Sequence, residues 1–172
     1  MACTSYIMKG LATGCKDSLG GIKKIWVAPY EDVTYTLDKG VVTPSATSAF
    51  KVFNFRRNVS SMTSNLQTSE TSGNSFQTDV VLQFMKQETA KRIELMALFM
   101  GQNKVIVCDG NGKYWALGYD YPVEASAGDA VTGTATTDLN GYDITLTDYS
   151  AELPYEITDE ATITALEAIV VA

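Results

Sequence analysis

The stretch AFKVFNFRRNVSSMTSNLQTSETSGNSFQTDVVLQFMK, residues 49–86, decides the predicted fold because apolar and polar residues alternate along it. In its second half, this alternation indicates a strand with one buried face. The apolar residues of that half, all at even-numbered positions, are Phe76, Val80, Leu82 and Phe84. In the first half, the apolar residues change between even-numbered and odd-numbered positions, which predicts a bulge or twist. One set there comprises Phe50, Val52, Met62 and Leu66, and the other comprises Phe53, Phe55 and Val59.

Between the two halves lies TSETSGNS, residues 68–75, whose small polar residues are typical of a turn. We therefore predict a long protruding β-hairpin, and a flexible loop between two ordinary strands is the alternative. The polar residues of the hairpin that share the odd-numbered positions are Ser61, Thr63, Asn65, Gln77, Asp79 and Gln83. The doubled arginine Arg56-Arg57 precedes it. It favours a structural or interfacial ion pair over phosphate binding, because no basic patch surrounds it.

The residues before the hairpin predict an arm followed by two strands. Residues 1–21 are small and Gly-rich, and we interpret them as an N-terminal arm. IKKIWVAPY, residues 22–30, predicts a first strand. Its expected core residues are Ile22, Ile25 and Val27. Residues 31–43 predict a second strand and a turn at Asp38-Lys39-Gly40.

One helix is predicted at about 86–101, within KQETAKRIELMALFMGQN. Its apolar residues recur at helical spacing, so we expect them to form a stripe that packs in the core. The stripe comprises Ile93, Met96, Ala97 and Met100, and it is widened by Leu95, Leu98 and Phe99.

The segment VIVCDGNGKYWAL predicts a second hairpin with a tight turn at Asp109–Gly112, and it places Cys108 in a buried strand. A calcium loop is the weaker interpretation of that turn, because the downstream acidic ligands are missing at the required spacing. VTGTATT and YDITLTDY predict two further strands joined by a turn at Asn140-Gly141, and Pro154 is expected to end the sheet. Residues 158–172 form a C-terminal tail that opens with a helix-start pattern at Thr158-Asp159-Glu160. The β-branched end of the tail is equally compatible with a strand.

The element order favours one α+β domain over residues 22–157. The expected architecture is a mostly antiparallel β-sandwich or barrel with one flanking α-helix and the long hairpin. The chain has 172 residues and a formal net charge of −7, so it repels phosphate backbones and is not expected to grip DNA. It contains no histidine, which removes the commonest general base and a common metal ligand. The three cysteines, Cys3, Cys15 and Cys108, form no CxxC and indicate free thiols in a reducing cytoplasm.

We therefore predict that the chain is not an enzyme and has no catalytic, cofactor-binding or metal site. No apolar run reaches the roughly 20 residues of a membrane span, so no membrane role is expected. The acidic residues Asp138, Asp143, Asp148 and Glu152 are interpreted as a solvated turn region, with Asp143 facing water beside Thr145 and Thr147. A carboxylate enzyme is the rival interpretation. It requires a pocket that joins Asp143 or Asp148 to a second acid.

Three segments carry a family resemblance: GCKDSLGGIKKIWV, DGNGKYWALGYDYPVEA and TGTATTDLNGYDITLT. They resemble the tail-tube (major tail) proteins of tailed bacteriophages. The resemblance is greatest to the tail-tube proteins of phages of Bacteroidetes hosts. The likeness covers roughly residues 14–157. It implies a β-sandwich or barrel with one flanking helix and a long hairpin. It also implies subunits that form hexameric rings, which stack into a tube through which DNA passes.

From this resemblance we expect a virion structural protein of the tail, assembled in the cytoplasm of a bacterial host. Its partners would be further copies of itself and other tail proteins, such as a terminator, tip or tape-measure protein. DNA would transit without specific binding. The hairpin residues Ser61, Thr63, Asn65, Gln77, Asp79 and Gln83 would face the lumen or a neighbouring subunit, and Arg56 and Arg57 would form an inter-subunit ion pair. The arm, the 68–75 tip and the C-terminal tail would be contacts between rings.

Other assignments remain open at the level of sequence. The same fold serves neck, ring and tail-tip proteins and the tube protein of contractile secretion systems, and fold alone does not choose among them. A head or tail decoration, or an adhesin module, is the alternative from a different class. It predicts an exposed ligand face and no filament.

Overall fold

The computed structural model describes residues 9–56 and 58–171. Residues 9–20 contain no helix or strand and are exposed. The strands that follow are β1 (Ile22–Pro29), β2 (Tyr35–Asp38), β3 (Val41–Pro44), β4 (Lys51–Asn54), β5 (Ser61–Ser69), β6 (Gly73–Met85), β7 (Asn103–Asp109), β8 (Tyr114–Leu117), β9 (Glu124–Val131), β10 (Gly141–Ser150) and β11 (Tyr155–Ile157). The helices are α1 (Thr89–Met100) and α2 (Glu160–Glu167), and a short 3-10 helix covers Tyr30–Asp32.

These strands form two sheets, so the protein is mostly β. The seven-stranded sheet has the order β2-β3-β11-β8-β7-β1-β4 and is antiparallel except for the parallel pair of β3 and β11. The four-stranded sheet has the order β5-β6-β10-β9 and is antiparallel throughout. Neither sheet closes on itself among the described residues. The barrel in our prediction is therefore wrong, because β4 and β5 end different sheets instead of pairing with each other.

The two sheets share one hydrophobic core. The seven-stranded sheet contributes apolar side chains from β1 and β7, the four-stranded sheet contributes them from β6 and β10, and α1 adds two leucines. The main members are Ile25, Val27, Val105, Val107, Val80, Leu82, Ile144, Leu146, Leu95 and Leu98. The predicted core residues Ile22, Ile25 and Val27 of the first strand are all buried.

A second core covers the opposite face of the seven-stranded sheet. Trp26, Ile106 and Cys108 pack there with Leu166 of α2, and the Trp26 indole N–H donates to the Leu166 carbonyl oxygen at 3.0 Å. Because the sheet is covered on both faces, β1 and β7 are nearly continuous apolar runs instead of alternating ones. The placement of Cys108 in a buried strand is confirmed.

The predicted hairpin exists as β5 and β6, which pair from Ser61 opposite Val81 to Ser69 opposite Gly73. Three residues, 70–72, connect the two strands. β6 also pairs with β10 as far as Phe76. Most of the hairpin is therefore an integral half of the smaller sheet, and only its tip extends beyond β10.

The parity switch in the first half of the stretch has a cause different from the predicted bulge. Val52 of β4 packs in the second core, whereas Phe53 and Phe55 pack against the inter-sheet core. Between β4 and β5 the chain then passes from the larger sheet to the smaller one. The apolar residues change parity because β4 is covered on both faces, so that Val52 and Phe53 enter different cores. In β5 it is instead an even-numbered residue, Met62, that packs against the inter-sheet core.

The sequence predictions for residues 121–172 need three corrections. The strand expected at VTGTATT lies earlier, as β9, because the carboxylate of Asp138 folds the following residues into a turn by accepting from the Thr134 and Ala135 amides at 2.8 Å. Pro154 does not end the larger sheet, since β11 follows it and pairs with both β8 and β3. The helix-start pattern at Thr158 is followed by a second helix, α2, so the expectation of a single helix is wrong.

Candidate functional site

The outer face of the four-stranded sheet, which points away from the inter-sheet core, gathers the six hairpin residues singled out by sequence. Thr63 lies opposite Asp79, and Asn65 lies opposite Gln77. Ser61 lies opposite Val81, and Gln83 lies opposite Asp143 of β10. The even-numbered residues of β6 form the buried side, with Thr78, Val80 and Leu82 at most 1% exposed. The prediction that these six residues share one polar face agrees with the observed register.

Asp79 is at the centre of a hydrogen-bonded group on this face. Its carboxylate accepts from the Thr147 hydroxyl at 2.7 Å and from the Gln77 side-chain amide at 3.1 Å. The Thr147 oxygen lies 2.7 Å from the Ser126 hydroxyl oxygen of β9. These contacts link β6, β10 and β9, and bonds to a charged acceptor are the stronger kind. They fix the orientation of the polar side chains and leave Thr147 only 6% exposed.

The four strands of this sheet contain no lysine or arginine. Their carboxylates are Asp79, Glu124, Asp129, Asp143 and Asp148. Four of the five are at the surface or half-buried, and Asp148 is buried. The sheet therefore presents an acidic surface without cationic compensation from its own strands.

Both edges of this sheet are unpaired among the described residues. β5 is one edge and β9 is the other, and each has a neighbour on one side only. Unpaired edges present backbone N–H and C=O groups that can pair with another chain. Sequence analysis expected the hairpin residues to face the lumen or a neighbouring subunit, but it did not identify β9 and predicted a strand at VTGTATT instead. The signal in EASAGDAV is weak because small residues replace the alternating apolar ones.

Of the two arginines predicted to form an inter-subunit ion pair, only Arg56 belongs to the described residues. Arg56 follows β4, is exposed, and its guanidinium lies 3.5 Å from the Met85 sulfur. Arg57 lies outside the described residues. The ion pairs found among the described residues involve lysines instead, namely Lys24–Glu167, Lys86–Glu88, Lys91–Glu88 and Lys113–Glu156.

The apolar stripe of α1 is placed differently from our expectation. Leu95 and Leu98 are buried, and Phe99 packs against the inter-sheet core. Ile93, Met96 and Met100 are instead 59%, 42% and 80% exposed. At 100° per residue these three lie on the side of the helix opposite to the buried leucines. The expectation that they pack in the core is therefore wrong.

The Asp109–Gly112 turn binds the end of the arm and shows no calcium-like arrangement. Asp109 accepts from the Asn111 and Lys113 amides at 2.8 and 2.9 Å, which closes the predicted tight turn. The Asn111 side chain accepts from the Leu19 amide at 2.7 Å. No three His, Cys, Asp or Glu side chains of the described residues come together in a way that could hold a metal ion.

The four carboxylates considered for catalysis do not gather in one cleft. Asp138 and Glu152 are exposed, Asp143 is half-buried on the outer face, and Asp148 is 3% exposed. Burial is the main reason why the pKa of Asp148 rises to about 6. The charge of Asp120 adds to this effect, and a hydrogen bond from the Gly118 amide opposes it. The predicted solvent exposure is therefore wrong for Asp148.

Lys104 and Tyr35 form a second group of buried polar side chains, and Asp148 lies near Tyr35. Lys104 donates to the Val33 carbonyl oxygen at 2.5 Å and lies over the rings of Tyr30 and Tyr35, 4.5 and 4.8 Å from their centres. Burial lowers the pKa of Lys104. Burial and the nearby charge of Asp148 raise the pKa of Tyr35. The Tyr35 hydroxyl and Oδ1 of Asp148 have no hydrogen-bond partner among the described residues.

Two open grooves lie at opposite ends of β10. The first has a volume of about 550 Å³ and is lined by Asn74, Ser75, Asp120, Tyr121, Tyr149, Ser150 and Ala151. The second has a volume of about 260 Å³ and is lined by Gln83, Met85, Thr137, Asp138, Leu139 and Asn140. Neither groove is lined by two of the four carboxylates considered for catalysis.

Comparison with known proteins adds no family assignment. No protein-family model matches the chain, and no match was found among curated proteins or solved structures. Neither helix of the described residues has the length and apolar character needed to span a bilayer.

Proposed function

We propose that this chain is a tail-tube subunit of a tailed bacteriophage that assembles into stacked rings around a DNA-conducting channel. The observation that carries the proposal is the four-stranded sheet with two unpaired edges and an acidic outer face. Six subunits per ring is what the sequence resemblance implies. The subunit would reside in the virion tail after assembly in the bacterial cytoplasm.

The strand directions of this sheet suit ring closure. All neighbours in β5-β6-β10-β9 are antiparallel, so β5 and β9 run in opposite directions. When copies are related by rotation about a common axis, β9 of one copy meets β5 of the next in antiparallel orientation. Such a head-to-tail contact between two different surfaces generates a closed ring when the rotation between copies divides a full turn, and an open filament when it does not. Closure also removes both unpaired edges, which would otherwise be sites of uncontrolled pairing.

The outer face has the chemistry that a DNA channel requires. If it lines the lumen, each subunit contributes polar and acidic side chains, including Asp79 and Asp143, and no lysine or arginine from its four strands. A wall of this kind repels phosphates at close range. DNA then passes without binding. Partners at the ends of the tube would be terminator, tip or tape-measure proteins.

Neck, ring and tail-tip roles share this architecture and differ in whether the rings stack. A decoration or adhesin module is the alternative from another class. The observation that favours it is the groove beside Tyr121 and Tyr149, which are 65% and 53% exposed and flank Asp120. Exposed aromatic rings beside a carboxylate are a common arrangement in binding sites.

Negative-stain electron microscopy of the purified protein, with its mass measured in solution, tests the proposal. Stacked rings with a central hole are the expected result, and single rings would favour a neck, ring or tip role. A monomer or trimer at high protein concentration would count against the tube and favour the decoration or adhesin module.

Hydrogen exchange tests the edge pairing within the same assemblies. Peptides from Ser61–Ser69 and Glu124–Val131 should become protected on assembly, because their free edges acquire partners. A peptide from Gly141–Ser150 is the matched control, since β10 is already paired on both sides in the single subunit. Equal exchange of both edges before and after assembly would contradict this mode of association.

A further inference from the structure

The exposed face of α1 lies beside one free edge of the smaller sheet. We define the α1 stripe as Ile93, Met96 and Met100. The helix contacts β9, where a side chain at Gly128 would fall 2.2 Å from the Phe99 ring. Because β9 is the edge strand, α1 and this edge belong to the same side of the domain. Three exposed large apolar side chains in one row are more than scattered surface residues, and such rows mark interaction sites.

The opposite side of the domain carries a second, chemically matching surface. There, β4 and β5 are edge strands of the two sheets, and they follow one another in the chain. We define the phenylalanine seam as Phe53, Phe55 and Met62, which are only partly buried against the inter-sheet core. Phe84 packs against both phenylalanines, with ring centres 6.0 and 5.1 Å apart. Leu66 continues this apolar row along β5 and is 53% exposed.

We propose that the α1 stripe of one copy packs on the phenylalanine seam and Leu66 of the next copy. The occupant of the helix face is thus a second copy of this chain, held head to tail. The proposal rests on the proposed ring function, because the same step that adds β5 of one copy to β9 of another brings these two surfaces to the same junction. Backbone pairing between edges is weakly specific, and an apolar contact beside it would fix the register.

Charge supports the same pairing. The side with α1 and β9 carries the exposed carboxylates Glu94, Glu124 and Asp129, whereas the seam side carries the exposed cations Lys51 and Arg56. α1 itself carries Lys91 and Arg92 as well as Glu94, so the acidic character of this side comes from β9 and not from the helix. Exposed ion pairs stabilise little and mainly set orientation, so burial of the apolar stripe is the main stabilising contact.

Thiol cross-linking tests the contact directly. In a background with Cys3→Ser and Cys15→Ser, one sample carries Met96→Cys and another carries Leu66→Cys. Cys108 is 4% exposed and stays in place. A bismaleimide reagent should give covalent dimers when the two samples are mixed, and none when either variant is treated alone. Leu153→Cys, at a residue that is 55% exposed and outside both surfaces, is the control partner and should give no dimer with Met96→Cys.

Each outcome of this experiment is decisive. Rings in the microscope without dimers in the mixed sample would overturn the α1–seam contact and leave the tube proposal standing. Dimers in the mixed sample without rings would support the contact and count against the tube. Dimers with Met96→Cys alone would show a face-to-face contact and overturn the head-to-tail arrangement. Absence of both rings and dimers would overturn both proposals.

A charge variant gives an independent measurement. Met96→Glu with Met100→Glu should abolish assembly, because two carboxylates would have to be buried against the seam. Both residues are exposed in the single subunit, so its thermal unfolding midpoint should not change. Leu153→Glu is the matched control and should assemble like the unmodified protein. Assembly of the double variant at unchanged concentration would overturn the inference.

Discussion

Individual glycines of the smaller sheet are required where another chain segment occupies the space of a side chain. Gly141 begins β10, and a Cβ there would lie 1.9 Å from the Phe84 carbonyl oxygen on β6. Main-chain atoms of a paired strand cannot move aside without breaking the ladder. We therefore predict that Gly141→Ala lowers the free energy of unfolding by about 3 kcal/mol, as overpacking does. Urea denaturation would measure it.

The control for this prediction is Gly14→Ala in the arm, where nothing lies within 4 Å of the added Cβ. Its effect should stay within about 0.5 kcal/mol, as for ordinary surface substitutions. Similar unfolding midpoints for both variants would show that the β6–β10 spacing adapts more easily than the register indicates.

The carboxyl group of Asp148 makes stability depend on pH in the direction opposite to that of a paired carboxylate. Burial raises its pKa from 3.8 to about 6. The folded chain therefore holds this proton more tightly than the unfolded chain, and stability falls as the pH rises through that window. The full cost, about 3 kcal/mol, is present above pH 6. We predict that Asp148→Asn is more stable than the unmodified protein at pH 7 and equally stable near pH 4.

Urea denaturation at several pH values between about 4 and about 7 would measure this difference. Asp143→Asn is the matched control, because it makes the same change on the half-buried outer face of the same strand. A variant at Asp148 that is less stable at every pH would indicate that the ionised carboxylate is held by favourable contacts.

At the scale of elements, the stability of α2 depends on Asp159, the residue that caps its N-terminus. Asp159 accepts from the Thr162 amide at 2.9 Å and from the Thr162 hydroxyl at 2.6 Å. The helix positions Leu166, which is fully buried in the second core. We predict that Asp159→Ala lowers the free energy of unfolding by about 1 kcal/mol, the usual effect of removing an N-cap acceptor. Thermal unfolding would measure it. Asp159→Asn keeps an acceptor oxygen and should retain most of the stability, and equal losses in both variants would contradict a capping role.

At the scale of the whole molecule, net charge should oppose association. Each copy carries a formal charge of −7, so copies repel one another at low ionic strength. Salt screens this repulsion, with a Debye length that falls from about 30 Å at 0.01 M to about 3 Å at 1 M, and it leaves apolar contacts intact. We predict that raising the NaCl concentration over this range increases the assembled fraction measured by sedimentation velocity.

Dissociation at high salt would instead mean that ion pairs between Arg56 or Lys51 and the acidic side of a neighbour dominate the interface. The double variant Met96→Glu with Met100→Glu serves as the control here, because it should remain unassembled at every salt concentration. This experiment separates an interface held by apolar burial from one held by charge.

The sequence by itself determined the local elements of this protein. The alternation in residues 73–85 sets β6 and the polar identity of its outer face, because in a strand neighbouring side chains point to opposite faces. Turn residues with special backbone preferences set the ends of the strands. Lys39 and Gly40, for example, take φ values of 50° and 85° in the predicted turn. These features depend on neighbours in the chain, so sequence reports them directly.

The tertiary structure alone decided what covers each element. Sequence showed that α1 has a broad apolar surface, but only the position of β9 and of the inter-sheet core selects Leu95 and Leu98 for burial and leaves Met96 and Met100 exposed. The sequence also did not indicate that β4 and β5 belong to different sheets, that β11 pairs with β3, or that Asp148 is buried. Periodicity records how apolar residues are spaced. Burial and pairing depend on which distant segment arrives at each face, and that is settled only when the whole chain folds.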